Sequence, residues 1–251
     1  MTISTFKRYE KKFLLNGAQH QSILPDLMQY MHPDENCRNG QEYSLYNLYY
    51  DTADSSVIRQ SLSKPYYKEK LRLRTYSATV SAGSQVFLEL KKKIGGVVSK
   101  RRAALQLDEA YQFLNSGIKP ENTKYINRQV LDEIAFYLQH QPVTPSCYIS
   151  YDRTAMFGKD DRDFRITFDH NIVTRRDHLS LERGSFGQEL LEPGQYLMEV
   201  KISQALPLWL AELLADNHIY VTSFSKYGRE YKQYRQNQPG ILGAYQLRPA
   251  V

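Results

Sequence analysis

Cysteine is scarce in this chain of 251 residues: only Cys37 and Cys147 occur. They lie far apart, so a disulfide framework is not expected and a reducing compartment is the simpler setting. Long apolar runs are missing too. No stretch reaches the about 18 consecutive apolar residues of a membrane-spanning helix. The opening MTISTFKRYEKKF has no apolar segment of the kind a secretory leader needs. A cytoplasmic location is therefore expected. No Walker A sequence is present, because Gly158-Lys159 is followed by Asp160 with no upstream glycine at the required spacing. Nucleotide phosphates would have to be held by side chains. The histidines, at 20, 32, 140, 170, 178 and 218, show no metal-ligand spacing. His170 follows Asp169 at the end of a strand-like run and could touch substrate, but a role outside the site is the favoured reading. There are no internal repeats, low-complexity tracts or Gly/Ser linkers.

What is present is 41% hydrophobic residues, a formal charge of +6, and 20 tyrosines against one tryptophan. A sizeable core can form, the modest basic excess favours an anionic partner, and the tyrosines lean towards strands. Strand-like runs fall at residues 8–15, 43–50, 70–77, 86–93, 97–107, 146–154, 164–171 and 197–202. Helices are expected at 17–31, from Asp54 as N-cap, from Asp108 to a Ser-Gly stop, and at 122–140, 206–216 and 225–236. The aromatic run YSLYNLYYDT reads as strand packing, and Arg175 to His178 as a solvated loop. The pattern is α+β, one domain over 1–235 with a tail at 236–251.

The stretch LELKKKIGGVVSKRR, residues 88–102, reads as a hairpin about Gly95-Gly96. In that register Lys91 faces Lys100 and Glu89 faces Arg102, and a lysine opposite a lysine is unfavourable when left alone. The same face alternation recurs along the chain. Arg72 and Arg74 oppose Leu71 and Leu73. Glu89 and Lys91 oppose Leu88 and Leu90. Glu10 pairs with Lys12, Tyr151 with Arg153, and Glu199 with Lys201. Arg165, Thr167 and Asp169 oppose Phe164, Ile166 and Phe168.

A single strand of this kind is ordinary for a sheet with one wet face. Recurrence of a cation-rich face on strand after strand is not. Turned outward it makes a basic plate; turned inward in a barrel it makes a charged tunnel, with helices on the apolar outer face. Two like charges about 4 Å apart repel by ~1 kcal/mol in water and ~4 kcal/mol at an effective dielectric near 20. A linear polyanion would relieve that strain. A glutamate among the cations either pairs with arginine, as Glu89 can with Arg102, or holds Mg²⁺ or Mn²⁺ through oxygen.

The segments RYEKKFLL, YYDT, LRLRTY, FLELKKK, SKRRAAL, SYDRTAM, FRITFDHNI, LMEVKI and FSKYGREY occur in this order. Together they resemble the polyphosphate polymerase domain of the vacuolar transporter chaperone (VTC) complex, within the CYTH-like triphosphate tunnel metalloenzymes. The resemblance implies an eight-stranded antiparallel β-barrel with helices packed outside, a divalent metal (Mn²⁺ or Mg²⁺), and synthesis of polyphosphate from ATP. Motif by motif, it places Lys12, Arg72, Arg74, Lys91, Lys100, Arg153 and Arg165 in the tunnel as phosphate contacts. Arg72, Arg74, Lys91, Arg153 and Arg165 would carry the chemistry. Glu199 matches the metal ligand, with Glu10 and Glu89 as weaker candidates. Ser225 and Lys226 match the segment near the tunnel's end. Arg102, Tyr151 and Lys201 join the substrate contacts through the shared alternation. Ser223 departs from the pattern, where a basic residue precedes FSK. The expected partners are ATP or another triphosphate, inorganic polyphosphate, no nucleic acid, and a separate membrane protein at the inner face of a membrane. A tunnel triphosphatase and a non-catalytic polyphosphate- or RNA-binding module are the alternatives.

Overall fold

The computed structural model describes residues 9–121, 125–203 and 205–238. The expected helical start at 122–124 and the tail residues 239–251 lie outside them. The strands are β1 (Tyr9–Leu15), β2 (Met31–Pro33), β3 (Tyr43–Asp51), β4 (Tyr67–Thr75), β5 (Gln85–Ile94), β6 (Val97–Gln106), β7 (Thr144–Gly158), β8 (Arg165–Arg175), β9 (Gln188–Glu189) and β10 (Tyr196–Ile202). The helices are α1 (Gly17–Tyr30), α2 (Ser56–Leu62), α3 (Leu107–Ser116), α4 (Tyr125–His140), α5 (Leu208–Asp216) and α6 (Lys226–Gln236). A 3-10 segment, Glu35–Gly40, follows β2. Eight strands lie on one path, β1-β10-β8-β7-β3-β4-β5-β6, with β2 added to β7 and β9 to β8. Every one of these pairings is antiparallel.

The hairpin forms in the expected register: Ile94 opposite Val97, Lys91 opposite Lys100 and Glu89 opposite Arg102. Its two turn residues, Gly95 and Gly96, have φ of 54° and 92°. Both lie in the left-handed region that a type I′ turn requires and that only glycine enters cheaply.

Alternation then divides the sheet into two surfaces. Outward residues of β3 to β6, including Leu48, Leu71, Leu73, Leu88, Leu90 and Ala103, pack with Ala110 and Phe113 of α3 and Leu131 and Ile134 of α4. Outward residues of β1, β8 and β10, including Phe13, Ile166, Phe168, Met198 and Val200, pack with Ile23 and Leu27 of α1 and Leu210 and Leu214 of α5. Each such leucine, fully buried, contributes roughly 1.5–3 kcal/mol. That gain forces the alternate residues, the cations, to the inner face. The two ends of the strand path, β1 and β6, do not pair with each other among the described residues, so the sheet is curled without a hydrogen-bonded seam. None of the described helices is long and apolar enough to cross a membrane.

A third cluster fills one end of the inner face. Leu45 and Tyr49 of β3, Cys147, Ile149 and Tyr151 of β7, and Leu197 of β10 meet Ile58 of α2 and Tyr227 and Tyr231 of α6. Gly228 permits the approach of α6 to α2, since a Cβ there would sit 3.0 Å from Leu62 Cδ2.

Two expectations are corrected here. Asp54 is not the N-cap of α2. Ser55 occupies that position in a left-handed conformation without a capping side chain. The capping falls to Asp51, whose carboxylate accepts from the backbone N–H of Thr52 at 2.8 Å, Val57 at 2.9 Å and Ile58 at 3.1 Å. Its sequence distance from the helix hides it. The Arg175–His178 segment is solvated only at Asp177 and His178, which are exposed; its two arginines are held. Arg175 is buried, stacks 3.5 Å from the Tyr148 ring centroid, and donates to the carbonyls of Gly184 and Ser180. Arg176 forms a two-pronged pair with Glu230 of α6 at 2.7 and 2.8 Å.

Asp51 also accepts from the Tyr227 hydroxyl at 2.7 Å, so one buried carboxylate ties β3, α2 and α6 together. Asp51→Ala strands several buried donors at once. It should lower unfolding stability by about 3 kcal/mol in urea titrations, and a loss under ~0.5 kcal/mol would contradict this role.

Candidate functional site

Three strands contribute one wall of the lumen. Lys70 of β4, Lys91 of β5 and Lys100 of β6 stand directly opposite one another in register. The next row reads Arg72, Glu89, Arg102. Glu89, fully buried, accepts from Arg72 Nε at 2.7 Å and Arg102 Nε at 2.6 Å, and Lys100 Nζ lies 3.4 Å away. Burial opposes ionisation of Glu89, but the surrounding guanidinium groups hold its carboxyl well below the usual range. Arg74 donates to the Asn47 side chain at 2.7 Å and to the Tyr151 hydroxyl at 3.2 Å.

The facing wall is built from β1, β10, β8 and β7. One row runs Lys12, Glu199, Thr167, Ala155, and the next Glu10, Lys201, Arg165, Phe157. Lys12 Nζ lies 2.8 Å from Glu199 and 3.1 Å from Glu10, so two carboxylates share one ammonium. Burial disfavours charge on Glu199, yet Lys12, Lys226 and Arg153 outweigh it and keep the group ionised. Arg153 pairs with the fully buried Asp169 through Nε at 2.5 Å and a second nitrogen at 2.7 Å. Lys226, the first residue of α6, reaches into the same site, donating to Asp169 and lying 3.4 Å from Glu199. Ser225 caps that helix, its hydroxyl accepting from Gly228 N–H at 3.2 Å. Arg165 sits over the Phe157 ring at 4.8 Å and donates to Asp34 and Tyr43, each at 3.2 Å.

The walls face each other. The charges of Glu10 and Lys12 on β1 act on Lys91, and that of Lys12 acts on Lys70. Burial lowers the Lys91 and Lys100 pKa values. For Lys70 burial, then Lys91, Lys68 and Lys12, bring the value down to about 7, with only Asp51 acting the other way. Tyr151 is drawn down to about 8, because Arg74, Arg153 and Lys226 overcome its burial. The lumen therefore carries more positive charge than its own carboxylates satisfy. Two buried polar atoms on this face of β8, Arg165 Nε and Thr167 Oγ1, have no hydrogen-bond partner.

All the cations expected from the sequence thus share one lumen, but the glutamates separate. Glu89 is enclosed by arginines on one wall. Glu10 and Glu199 converge on the other, and this pair suits an oxygen-seeking divalent ion, which commonly takes one or two carboxylates plus phosphate oxygens. His170 does not enter the lumen; it bonds Glu42 at 2.8 Å on the opposite face of the sheet. With Asp152 these two offer ligand atoms within 4.8 Å of one another. The sequence places Asp169 on this face without giving it a role, and it leaves Lys70 out. Alternation with Arg72 and Arg165 was the signal that places both on this face.

The site is thus an antiparallel, barrel-like sheet whose inner face is crowded with arginine and lysine around a few carboxylates. The chain belongs to the VTC domain family, whose model matches residues 7–235. Among solved structures, a candidate adenylate cyclase from Bacillus halodurans shares the fold at TM-score 0.53 and 16% identity, covering 87% of this chain and 95% of that one. Weaker similarity joins a candidate adenylyl cyclase from Hippeastrum, described as having a dominant triphosphatase activity (TM-score 0.48, 16% identity, 94% and 98% covered). A third, a candidate adenylate cyclase from Vibrio parahaemolyticus, gives TM-score 0.44 at 14% identity, with 89% and 98% covered. No curated protein matches the chain.

Lys70 supplies a pH test. Its folded value is depressed to about 7 from an unfolded value of ~10.4. Between these the unfolded chain binds more protons, so this group makes the ligand-free protein more stable as pH rises through that window. Bound triphosphate favours the charged form and should flatten that rise. Lys70→Met should raise the melting temperature at pH 6 and weaken triphosphate binding. Identical melting curves for wild type and Lys70→Met from pH 6 to 9, with and without triphosphate, would contradict the assignment.

Proposed function

We propose that the lumen binds ATP and a growing inorganic polyphosphate chain and transfers the γ-phosphoryl group to the chain end. The observation that carries this reading is the row Lys70, Lys91, Lys100, three cations in register with one glutamate on the neighbouring row to offset them. Such a row suits a ligand that brings several closely spaced negative charges. Membership in the VTC domain family supports the same reading.

In this scheme Arg72, Arg74, Arg153 and Arg165 clamp the triphosphate, while Lys12, Lys91, Lys100, Arg102, Lys201 and Lys226 hold the polyphosphate. The hydroxyl of Tyr151, beneath Arg74, donates to a phosphate oxygen. A terminal polyphosphate oxygen attacks the γ-phosphorus. The new P–O–P link forms as the bond to the β-phosphate oxygen breaks and ADP leaves. The attacking oxygen is already ionised near neutral pH, so the step needs positioning and charge neutralisation more than a strong base. Glu199, with Glu10, would hold Mg²⁺ or Mn²⁺, which when bound neutralises charge on the phosphate oxygens. Glu89, engaged by Arg72 and Arg102, acts through those arginines. Product export through a separate membrane protein fits this chemistry.

Hydrolysis of triphosphate is the second reading. It is favoured by Glu10, a half-buried lumen carboxylate that could orient water. Incubation with ATP and Mn²⁺ followed by gel electrophoresis separates the readings. Long chains are expected; orthophosphate alone would establish a triphosphatase, and no product a binding module. Glu199→Gln should still bind polyphosphate but lose turnover by orders of magnitude, since several kcal/mol of transition-state stabilisation go with the metal. Near-wild-type turnover in that variant would remove Glu199 from the metal site.

A further inference from the structure

Thr167 puts a hydroxyl on the lumen face of β8 where an apolar side chain of the same shape would pack. It is fully buried, and its Oγ1 has no hydrogen-bond partner. An unpaired buried hydroxyl costs roughly 1–3 kcal/mol, and native structures leave few of them. It stands directly opposite Glu199 on the lumen face, where opposed Cβ atoms are about 5 Å apart. On its other side is Ala155, whose methyl offers no hydrogen-bond partner. Asp169, two residues along β8, is already taken by Arg153 and Lys226. Glu199 lies next to it in the row and shares Lys12 with Glu10, whose carboxylate has no other ion pair among the described residues.

We propose that Thr167 Oγ1 is the third oxygen of a divalent-cation site completed by Glu199 and Glu10. A neutral hydroxyl is a suitable ligand for Mg²⁺ or Mn²⁺ in a row that already holds a carboxylate, since it adds an oxygen without adding charge. This rests on the reading of the lumen as a metal-dependent triphosphate site. The orphaned hydroxyl is the cost that the ligand-free protein carries to keep that oxygen in place.

The test compares triphosphate affinity, by calorimetry, in EDTA and in excess Mn²⁺, so that the metal-dependent gain is read apart from charge binding. Thr167→Val keeps the shape and removes the oxygen. Its metal-free protein should melt at or above the wild-type temperature, and its affinity in EDTA should stay within twofold. Its Mn²⁺-dependent gain should fall by about tenfold or more, the scale seen when a metal site loses a supporting group. Thr167→Ser should keep the gain, and Thr167→Ala repeats the test should valine not fold. A Thr167→Val gain equal to wild type, with Glu199→Gln losing it, overturns the role of Thr167 alone. If Glu199→Gln keeps the gain as well, the metal reading of the lumen fails.

Discussion

Like-charge repulsion inside the lumen is the constraint on which the rest of the structure depends. Burial of Leu71, Leu73, Leu88 and Leu90 under α3 and α4 sends Arg72, Arg74, Lys91 and Lys70 inward. Three of the inner carboxylates are then each shared by more than one cation. Glu89 lies between Arg72 and Arg102, Asp169 between Arg153 and Lys226, and Glu199 between Lys12 and Lys226. Such buried pairs add little net stability over a well-packed apolar core, but removing one partner from them is costly. They fix geometry: each arginine is held in place before any ligand arrives.

Closure at one end follows from the same constraint. Helix α6 enters with a lysine at its first position and a tyrosine at its second. Lys226 answers Asp169 and Glu199, while Tyr227 stacks 5.0 Å from Tyr49 and bonds Asp51. Glu230, one turn on, is secured by Arg176. A single helix thereby settles charge at its tip, apolar packing along its side and a largely buried ion pair one turn on.

Much of this was legible in the sequence because the information is local. Period-two alternation is visible within a strand of seven residues, and the Gly95-Gly96 turn sets the β5–β6 register without reference to anything distant. The eight strands and the helices on the outer face follow from those two signals. What stayed hidden is what depends on partners far along the chain. Asp51 caps α2 across several intervening residues and meets Tyr227 from the far end of the sequence. Arg175 looks like loop residue until Tyr148 is beneath it. Whether a given glutamate is caged mainly by arginines or met mainly by lysines is also decided by inter-strand neighbours. For that reason Glu89 and Glu199, alike in their local patterns, ended in different surroundings.

The pairing of β1 with β10 carries a consequence for how the molecule comes into being. Tyr9 stands in register with Ile202, so the barrel's first strand waits for its last. Lys226 arrives later still, and Asp169 and Glu199 lack it until α6 has left the ribosome. Contacts of such long sequence separation slow folding. Domains usually fold as they are synthesised, from the N-terminus forward; here the emerging chain must keep a bare edge strand in solution through most of its own translation. The sheet can accept β1 only once β10 has been made, and a chain cut short before α6 would lack the lysine that answers Asp169 and Glu199.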